Sequence, residues 1–403
     1  MVYPKCRFVN TKIFIFLQNE HNKYTPLSED TMKRIFDISL VAITAAALLV
    51  CGALVMLRPA KAYSDEERRA LAQKPSISIA SIKSGTLFEG IADLFCDQFP
   101  ARRHLTALKA ASERSLGKRE NQGVVFAESG YLVTSPRYDD LSLYEKNLAA
   151  ISSFCAERES LGADTYVFFA PRGADVLSRY LPQRYPKDEL SGVWNTARTT
   201  LPNLITATDE LRQKATVGEY VWFRTDHHWT HLGAYECYAS LGDALGYTPL
   251  PIEHWDIECA SCNFLGTVYS KSGVRSVTPD SIYLPIGNTA LTVTYHSDKK
   301  KTSTLYDMQR LLGADKYSVY LGGNFDHISI HADGAERPRL TLIKDSFANS
   351  VTPYLAEHFD LEIYDLRYFK GSISDELADT DTVLILYGID TAITDGSLGL
   401  LGR

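Results

Sequence analysis

Leu340-Thr-Leu-Ile343, followed directly by Lys344-Asp-Ser346-Phe347, has the pattern of a short buried strand that ends in a turn. Such a run lacks regular polar alternation, so both of its faces are expected to be covered. Ala348–Phe359 downstream reads as a helix, which puts Ser346 where a strand passes into a helix. The same strand signal recurs at Thr165–Ala170, Leu361–Tyr364 and Val383–Tyr387. Leu141, Tyr144, Leu148, Ile151 and Phe154 share one helical face, which Gly162 closes. Buried strands that alternate with helices predict an α/β domain with a mostly parallel sheet, helices lying on both faces.

Working outward, Gly123–Val133 reads as a β-hairpin turning at Glu128-Ser-Gly130. Residues 63–120 are charged and helix-prone, with Ser64-Asp-Glu-Glu67 as a helix start and helical spacing along Leu87–Leu116. Residues 121–403 form the α/β domain, with a β-rich insertion at about 251–335. Ile38–Leu57 is a run of 20 residues without a charge, preceded by Lys33-Arg34 and followed by Arg58. A bilayer core about 30 Å thick needs roughly 20 apolar helical residues, more than the h-region of a cleaved signal peptide. Residues 32–62 therefore read as a signal anchor, a single transmembrane segment with the following domain outside the cytoplasm. Ala60-Lys-Ala62 leaves cleavage open. Residues 1–31 are an N-terminal extension, and Met32 is an alternative start.

The chain has 403 residues, 45% of them apolar and 23% charged, and a formal net charge of −7. That balance describes a globular protein and argues against a nucleic-acid binder; Lys299–Lys301 is the one dense cationic run. Seven cysteines are scattered, an odd total that does not suggest a disulfide framework. Cys259-Ala-Ser-Cys262 lacks a second pair or two histidines at ligand spacing, so it reads as two thiols or one local disulfide.

Two places carry chemistry. One is Ser346 at its strand end, where ligands of open α/β sheets bind and where a turn exposes a hydroxyl and its own N–H. The other is Arg224-Thr-Asp-His-His-Trp-Thr-His-Leu-Gly233. A serine needs an adjacent base to act as a nucleophile, and an imidazole suits that role near neutral pH. The base needs an acceptor that fixes its tautomer, and Asp226, two residues before His228, is placed for it. Ser346, His228 and Asp226 are thus the candidate triad. The competing reading of the same segment is a metal site on Asp226, His227, His228 and His231.

Asp226-His-His-Trp229, with Thr230 and Gly233, resembles the signature of the DHHW proteins of Gram-positive bacteria. These are similar to the alginate O-acetylation proteins of the SGNH-hydrolase-like acyltransferase group. Ala170-Pro171, Leu181-Pro182, Leu321-Gly-Gly-Asn324, Lys344-Asp-Ser-Phe347 and Tyr364-Asp-Leu-Arg367 add to the resemblance, which spans roughly residues 63–403. It implies a three-layer α/β/α fold in which the acid and base precede the serine, with Asp226 as acid, His228 as base and Ser346 as nucleophile. His227 is an alternative base or a substrate contact. The Ser346 N–H, the Gly323 backbone and the Asn324 amide are candidate oxyanion donors, the last two equally readable as a turn. Trp229 either lines the site or packs; Arg367 binds an anionic sugar or pairs with Asp365. The implied activity is O-acyl transfer or ester hydrolysis on a cell-surface or secreted polysaccharide, with a membrane-bound O-acyltransferase as partner. A non-catalytic anchored scaffold or carbohydrate-binding module is the alternative. No cofactor and no metal are expected.

Overall fold

Hydrophobic runs and their periodicity set the element order of the computed structural model. It describes residues 28–402 apart from 65–68, 136, 137, 139, 184, 186, 187, 335, 378 and 379. Residues 1–27 of the N-terminal extension and most of the Ser64-Asp-Glu-Glu67 helix-start signal lie outside the described residues.

Two units are distinguished, one drawn from residues up to Ala62 and from Leu71–Arg102, the other from Tyr63–Ala70 and Arg103–Arg403. The first contains helix α1 (Glu29–Leu57), whose most apolar window has a mean hydropathy of 2.7. The Ser28 hydroxyl accepts from the Thr31 N–H and starts the helix, and Glu29 and Asp30 complement its dipole. Its length and apolarity suffice to cross a membrane. Helix α2 (Thr86–Gln98) follows.

The second unit holds the α/β domain. Its elements are β1 (Val124–Phe126), β2 (Leu132–Thr134), α3 (Ser142–Ser160), β3 (Asp164–Ala170), α4 (Asp188–Thr200), β4 (Leu204–Ile205), α5 (Thr208–Val217) and α6 (His231–Leu245). There follow β5 (Asp256–Phe264), α7 (Thr267–Ser272), β6 (Asp280–Ile286), β7 (Leu291–Tyr295), β8 (Lys300–Thr302) and β9 (His327–Ala332). The last are β10 (Arg339–Lys344), α8 (Thr352–Leu355), β11 (Asp360–Tyr364), β12 (Thr382–Gly388) and α9 (Ile389–Thr394). A further helix, Arg102–Ser115, and shorter turns complete the described residues. The hairpin β1–β2 pairs antiparallel around Glu128–Gly130.

An eight-stranded sheet in the order β8-β7-β9-β11-β10-β12-β3-β4 organises the domain. From β11 to β4 the neighbours are parallel; β8, β7 and β9 extend the sheet antiparallel. Leu340, Leu342, Leu384, Leu386 and Phe168 face one side, against Leu211 of α5 and Cys237, Tyr238 and Leu241 of α6. Ile343, Val383, Ile385, Tyr387 and Phe169 face the other, against Tyr144, Leu148, Ile151 and Phe154 of α3. Each such side chain contributes about 1.5–3 kcal/mol by leaving water, and this double burial explains why the strands show no alternation. Helix–sheet–helix is the three-layer α/β/α architecture expected. Strands 291–295, 300–302 and 327–332, read as part of an insertion, lie in the main sheet, while β5 and β6 pair separately.

A further element differs from its expectation. The segment after Ser346 is not one helix but a 3₁₀ turn, Ser346–Ser350, followed by the single turn of α8. Pro353 is the reason: it has no N–H to give the carbonyl four residues earlier, so the two turns cannot merge.

Candidate active site

Asp226-His-His-Trp229 sits at the tip of a tight loop. Trp222 and Trp229 form an antiparallel bridge, Thr230 N–H donates to Val221 O (3.0 Å), and Phe223 N–H donates to His228 O (3.3 Å). The loop fits against α6 only because position 233 is glycine; a Cβ there would lie 2.3 Å from Val221 O. Asp280, buried at the start of β6, holds the other flank by accepting from the N–H groups of Arg224 (2.9 Å) and Thr225 (2.8 Å), the Thr225 hydroxyl and the Tyr220 hydroxyl.

Ser346 leaves the end of β10 in a turn that Asp345 secures. One oxygen of the Asp345 carboxylate accepts from the Phe347 N–H (2.9 Å), the other from the Gly388 N–H at the end of β12 (2.8 Å). The two segments meet at Phe347, whose ring lies against Trp222, His228 and Trp229. Trp229 Nε1 donates to Ser350 Oγ at 2.9 Å.

Three side chains 118 or more positions apart in part then line up. His228 Nε2 lies 2.9 Å from Ser346 Oγ, and His228 Nδ1 lies 2.6 Å from Asp226 Oδ1. Asp226 Oδ2 accepts from the Thr267 N–H (2.7 Å) and hydroxyl (3.0 Å) at the start of α7. Burial alone would raise this carboxyl, but the imidazoles of His227 and His228, the His228 hydrogen bond and the Thr267 N–H outweigh it and hold it well below the usual range. The His228 ring is clamped between Tyr317, stacked at 3.9 Å and 8°, and His227 at 3.8 Å. Tyr317 also donates toward Ser346 O (3.2 Å) and shares a 3.0 Å hydrogen bond with Ser350 Oγ. The N–H of Ser346 opens the 3₁₀ turn and so has no acceptor within it.

The remaining candidates separate. His227 is half-exposed at the mouth, with Nδ1 2.6 Å from Thr267 Oγ1. Trp229 is fully buried and packs. Arg367 gives two hydrogen bonds to Asp365, at 2.8 and 2.6 Å. Gly323 N–H is already donated to Tyr320 O at 3.1 Å. Asn324 Oδ1 accepts from Lys344 Nζ (3.2 Å) and from Asn349 Nδ2 (3.1 Å), which orients its amide. Lys344 is wholly buried beneath the turn, 3.8 Å from Asp365, and burial pushes its ammonium down to about 8. Leu321-Gly-Gly323 feeds Asn324 through three successive left-handed residues, and Leu321, at φ 57°, carries the strain of about 1–2 kcal/mol that a side chain pays there.

As ligands for a metal, Asp226, His227 and His228 are close enough together, but both nitrogens of His228 are engaged by Asp226 and Ser346. His231 lies apart from them, against Tyr283, with its Nδ1 unpartnered among the described residues. Burial pushes its imidazole down to about 4. Between about pH 6.5 and 4 the unfolded chain therefore binds a proton that the folded one refuses. Stability should fall by about 3 kcal/mol as pH drops through that window. Denaturant melts at pH 7 and pH 4 should register the loss, and His231→Gln should remove most of it. Asp226 contributes in the same sense at lower pH: its depressed carboxyl stabilises the fold above the ordinary carboxylate range and loses that as pH falls below it.

Tyr317, Gly266 and Thr267 escaped the sequence reading. A Cβ at Gly266 would lie 2.3 Å from Asp226 Cβ, so the chain needs glycine there to bring Thr267 onto the carboxylate. Beside Asp226, His227 and Phe347 opens a cleft of about 420 Å³, mouth included, also lined by Pro171, Arg172, Trp222 and Asp390.

Residues 208–366 match the DHHW protein family. A DHHW family protein from Eubacterium siraeum superposes with a TM-score of 0.59 at 22% identity, over 70% of this chain and 95% of that one. PatB1 of Bacillus cereus, solved with a sulfonyl adduct, gives 0.56 at 20% identity over 68% and 97%. The O-acetyltransferase domain of Pseudomonas putida AlgJ gives 0.44 at 16% identity over 68% and 93%. No curated protein matches. Over residues 208–366 the chain thus matches the DHHW family model, and its α/β fold is like that of the DHHW family protein from Eubacterium siraeum and of PatB1.

Proposed function

We propose that this protein is a serine O-acyltransferase or acetylesterase, anchored by α1 with its α/β domain outside the cytoplasm, that acts on a cell-surface or secreted polysaccharide. The observation that carries the chemistry is the unbroken line from Asp226 Oδ1 through His228 to Ser346 Oγ. Ser346 Oγ attacks the acyl carbonyl while His228 Nε2 takes its proton, and the buried Asp226 stabilises the imidazolium. The Ser346 N–H is the first oxyanion donor, and the oriented Asn324 amide the second. His228 returns the proton to the leaving alcohol, and an acyl-serine remains. A sugar hydroxyl, deprotonated by His228, then accepts the acyl group; if water reaches the same carbonyl first, the outcome is hydrolysis. No metal or cofactor enters these steps. His227 and the cleft beside it are where the acceptor would lie. The polysaccharide assignment and an acyl-exporting membrane partner rest on the resemblance to the alginate O-acetylation proteins.

Labelling with an aryl sulfonyl fluoride tests this reading, because the reagent reacts only with an activated nucleophile. One equivalent should attach to Ser346, and His228→Ala should abolish attachment. An unlabelled Ser346 in folded protein would overturn the enzyme reading in favour of a non-catalytic, anchored carbohydrate-binding or scaffold protein. With labelling in hand, acetylation of an added oligosaccharide against release of free acetate separates transferase from esterase.

A further inference from the structure

On the antiparallel extension, the face of the sheet opposite the apolar core carries a cluster that the acyl chemistry does not use. His327, Ser329 and His331 alternate along β9 and share one face. Ser329 lies directly across from Glu362 of β11 on one side and from Thr294 of β7 on the other. His296 follows the end of β7, and its N–H donates to His327 O at 3.2 Å. Three neighbouring strands thus deliver their polar side chains to one spot.

There the donor atoms converge. His327 Nε2 lies 2.8 Å from Glu362 Oε2, Ser329 Oγ donates to the same oxygen at 2.6 Å, and His296 Nε2 lies 2.6 Å from Ser329 Oγ. The coordinating atoms of His296, His327 and Glu362 all fall within 4.8 Å of one another. His331 approaches the other carboxylate oxygen, with Nε2 3.7 Å from Glu362 Oε1 and Nδ1 3.3 Å from Asp360 Oδ2. The His296 and His327 rings are parallel at 3.7 Å and 4°. Two imidazolium ions would repel strongly in that stack, so at least one ring is neutral there and keeps a lone pair. Burial and the neighbouring His327 both hold His296 low, and the hydrogen bonds of His327 and Ser329 keep Glu362 ionised against its own burial. Asp326, Asp360 and Glu376 add negative charge around the cluster.

We propose that His296, His327 and Glu362 bind a divalent transition-metal ion, zinc foremost. Two imidazole nitrogens and one carboxylate are a donor set suited to a borderline-soft cation and leave a fourth position for water or for His331. Asp360, facing His331 Nδ1, is the kind of outer carboxylate that fixes a ligating imidazole. The ion would take the place of the His327–Glu362 hydrogen bond. It would clasp β7, β9 and β11, the part of the sheet without a covering core on this face. The site shares no residue with the triad, so the two proposals stand or fall separately.

The test is zinc titration of the full-length protein in detergent, stripped by chelator and competed against a chromophoric chelator. One equivalent should bind; His296→Ala and Glu362→Gln should each raise the Kd by about 100-fold or more, and cobalt should give a visible d–d spectrum that both variants lose. His296 is exposed, so its variant should fold, and melting in excess chelator should match the parent. Absence of stoichiometric binding would overturn the proposal. So would binding that survives both substitutions but disappears in His227→Ala, which would place the ion on the Asp226 cluster.

Discussion

Ser346→Ala should lower turnover of an aryl acetate ester by at least about 10⁴-fold, and His228→Ala should do the same. The double variant should be no worse than either alone. The hydroxyl and the imidazole form one device: without the base, the serine is an unactivated alcohol, and without the serine, the base has no proton to take. What survives is the binding cleft and the oxyanion donors, neither of which the two substitutions touch. The fold should be unaffected by Ser346→Ala, because Ser346 Oγ makes one partly buried hydrogen bond to His228 and the turn is held by Asp345, Phe347 and Trp229. Kinetics on the purified full chain, with melting curves as the control, check this. Strictly additive losses, or a Ser346→Ala variant that keeps a tenth of its activity, would separate the serine from the chemistry.

Legibility followed burial. The parallel strands announce themselves because Leu340, Leu342, Leu384 and Leu386 face one core while Ile343, Val383 and Ile385 face the other, and only a sheet covered on both sides asks for that. The meeting of Asp226, His228 and Ser346 could be anticipated because each sits in a local pattern: a carboxylate two residues from an imidazole, and a serine at a strand end. Elsewhere the local pattern was silent or ambiguous. β9 alternates His327, Ser329 and His331 with Ile328 and Ile330 because one of its faces is polar, and an alternating strand reads equally well as a peripheral hairpin. Tyr317 and Thr267 are ordinary residues in ordinary context. Only the third dimension brings one onto the His228 ring and the other onto Asp226. Nothing in Gly-Gly-Asn tells whether a backbone N–H is free, and the Gly323 N–H is taken by Tyr320. Pro353 was a visible signal against one long helix after Ser346.

The buried and half-buried polar groups beneath Ser346 have a common logic. Lys344, Asp365, Arg367, Asn324 and Asn349 are joined to one another, and two of them, Lys344 and Asn349, flank Ser346 in sequence. Paired charges in a dry interior add little net stability, since desolvation offsets their attraction. Their benefit is a fixed geometry. The network ties the end of β10 to the strained Leu321-Gly-Gly323 turn and to the residues after β11, so the serine turn and the Asn324 amide are held in one rigid frame. Preorganised donors need no rearrangement as charge develops on an oxyanion.

Asp226→Asn should cost about 10⁴-fold in kcat with a much smaller change in KM, and the surroundings of Asp226 explain why the amide cannot escape. Oδ2 accepts two hydrogen bonds from Thr267, and one of the donors is a backbone N–H. Oδ1 also accepts the His228 N–H, but at 3.2 Å, so an asparagine keeps its carbonyl oxygen on the two closer Thr267 donors, which leaves its NH₂ facing His228 Nδ1. An NH₂ in that place demands a bare Nδ1, so the proton of the neutral imidazole moves to Nε2, the nitrogen 2.9 Å from Ser346 Oγ. A protonated Nε2 can donate to the serine but cannot take its proton. The base is then present, close and in the wrong tautomer. Size is nearly conserved, so the melting temperature should shift far less than it would for Asp226→Ala, which strips both Thr267 donors of their acceptor. The sulfonyl fluoride should label Asp226→Asn at a rate reduced in parallel with turnover. Near-parental activity in a folded Asp226→Asn protein would mean that His228 takes its orientation from Tyr317 and His227 alone, and the carboxylate would then be structural.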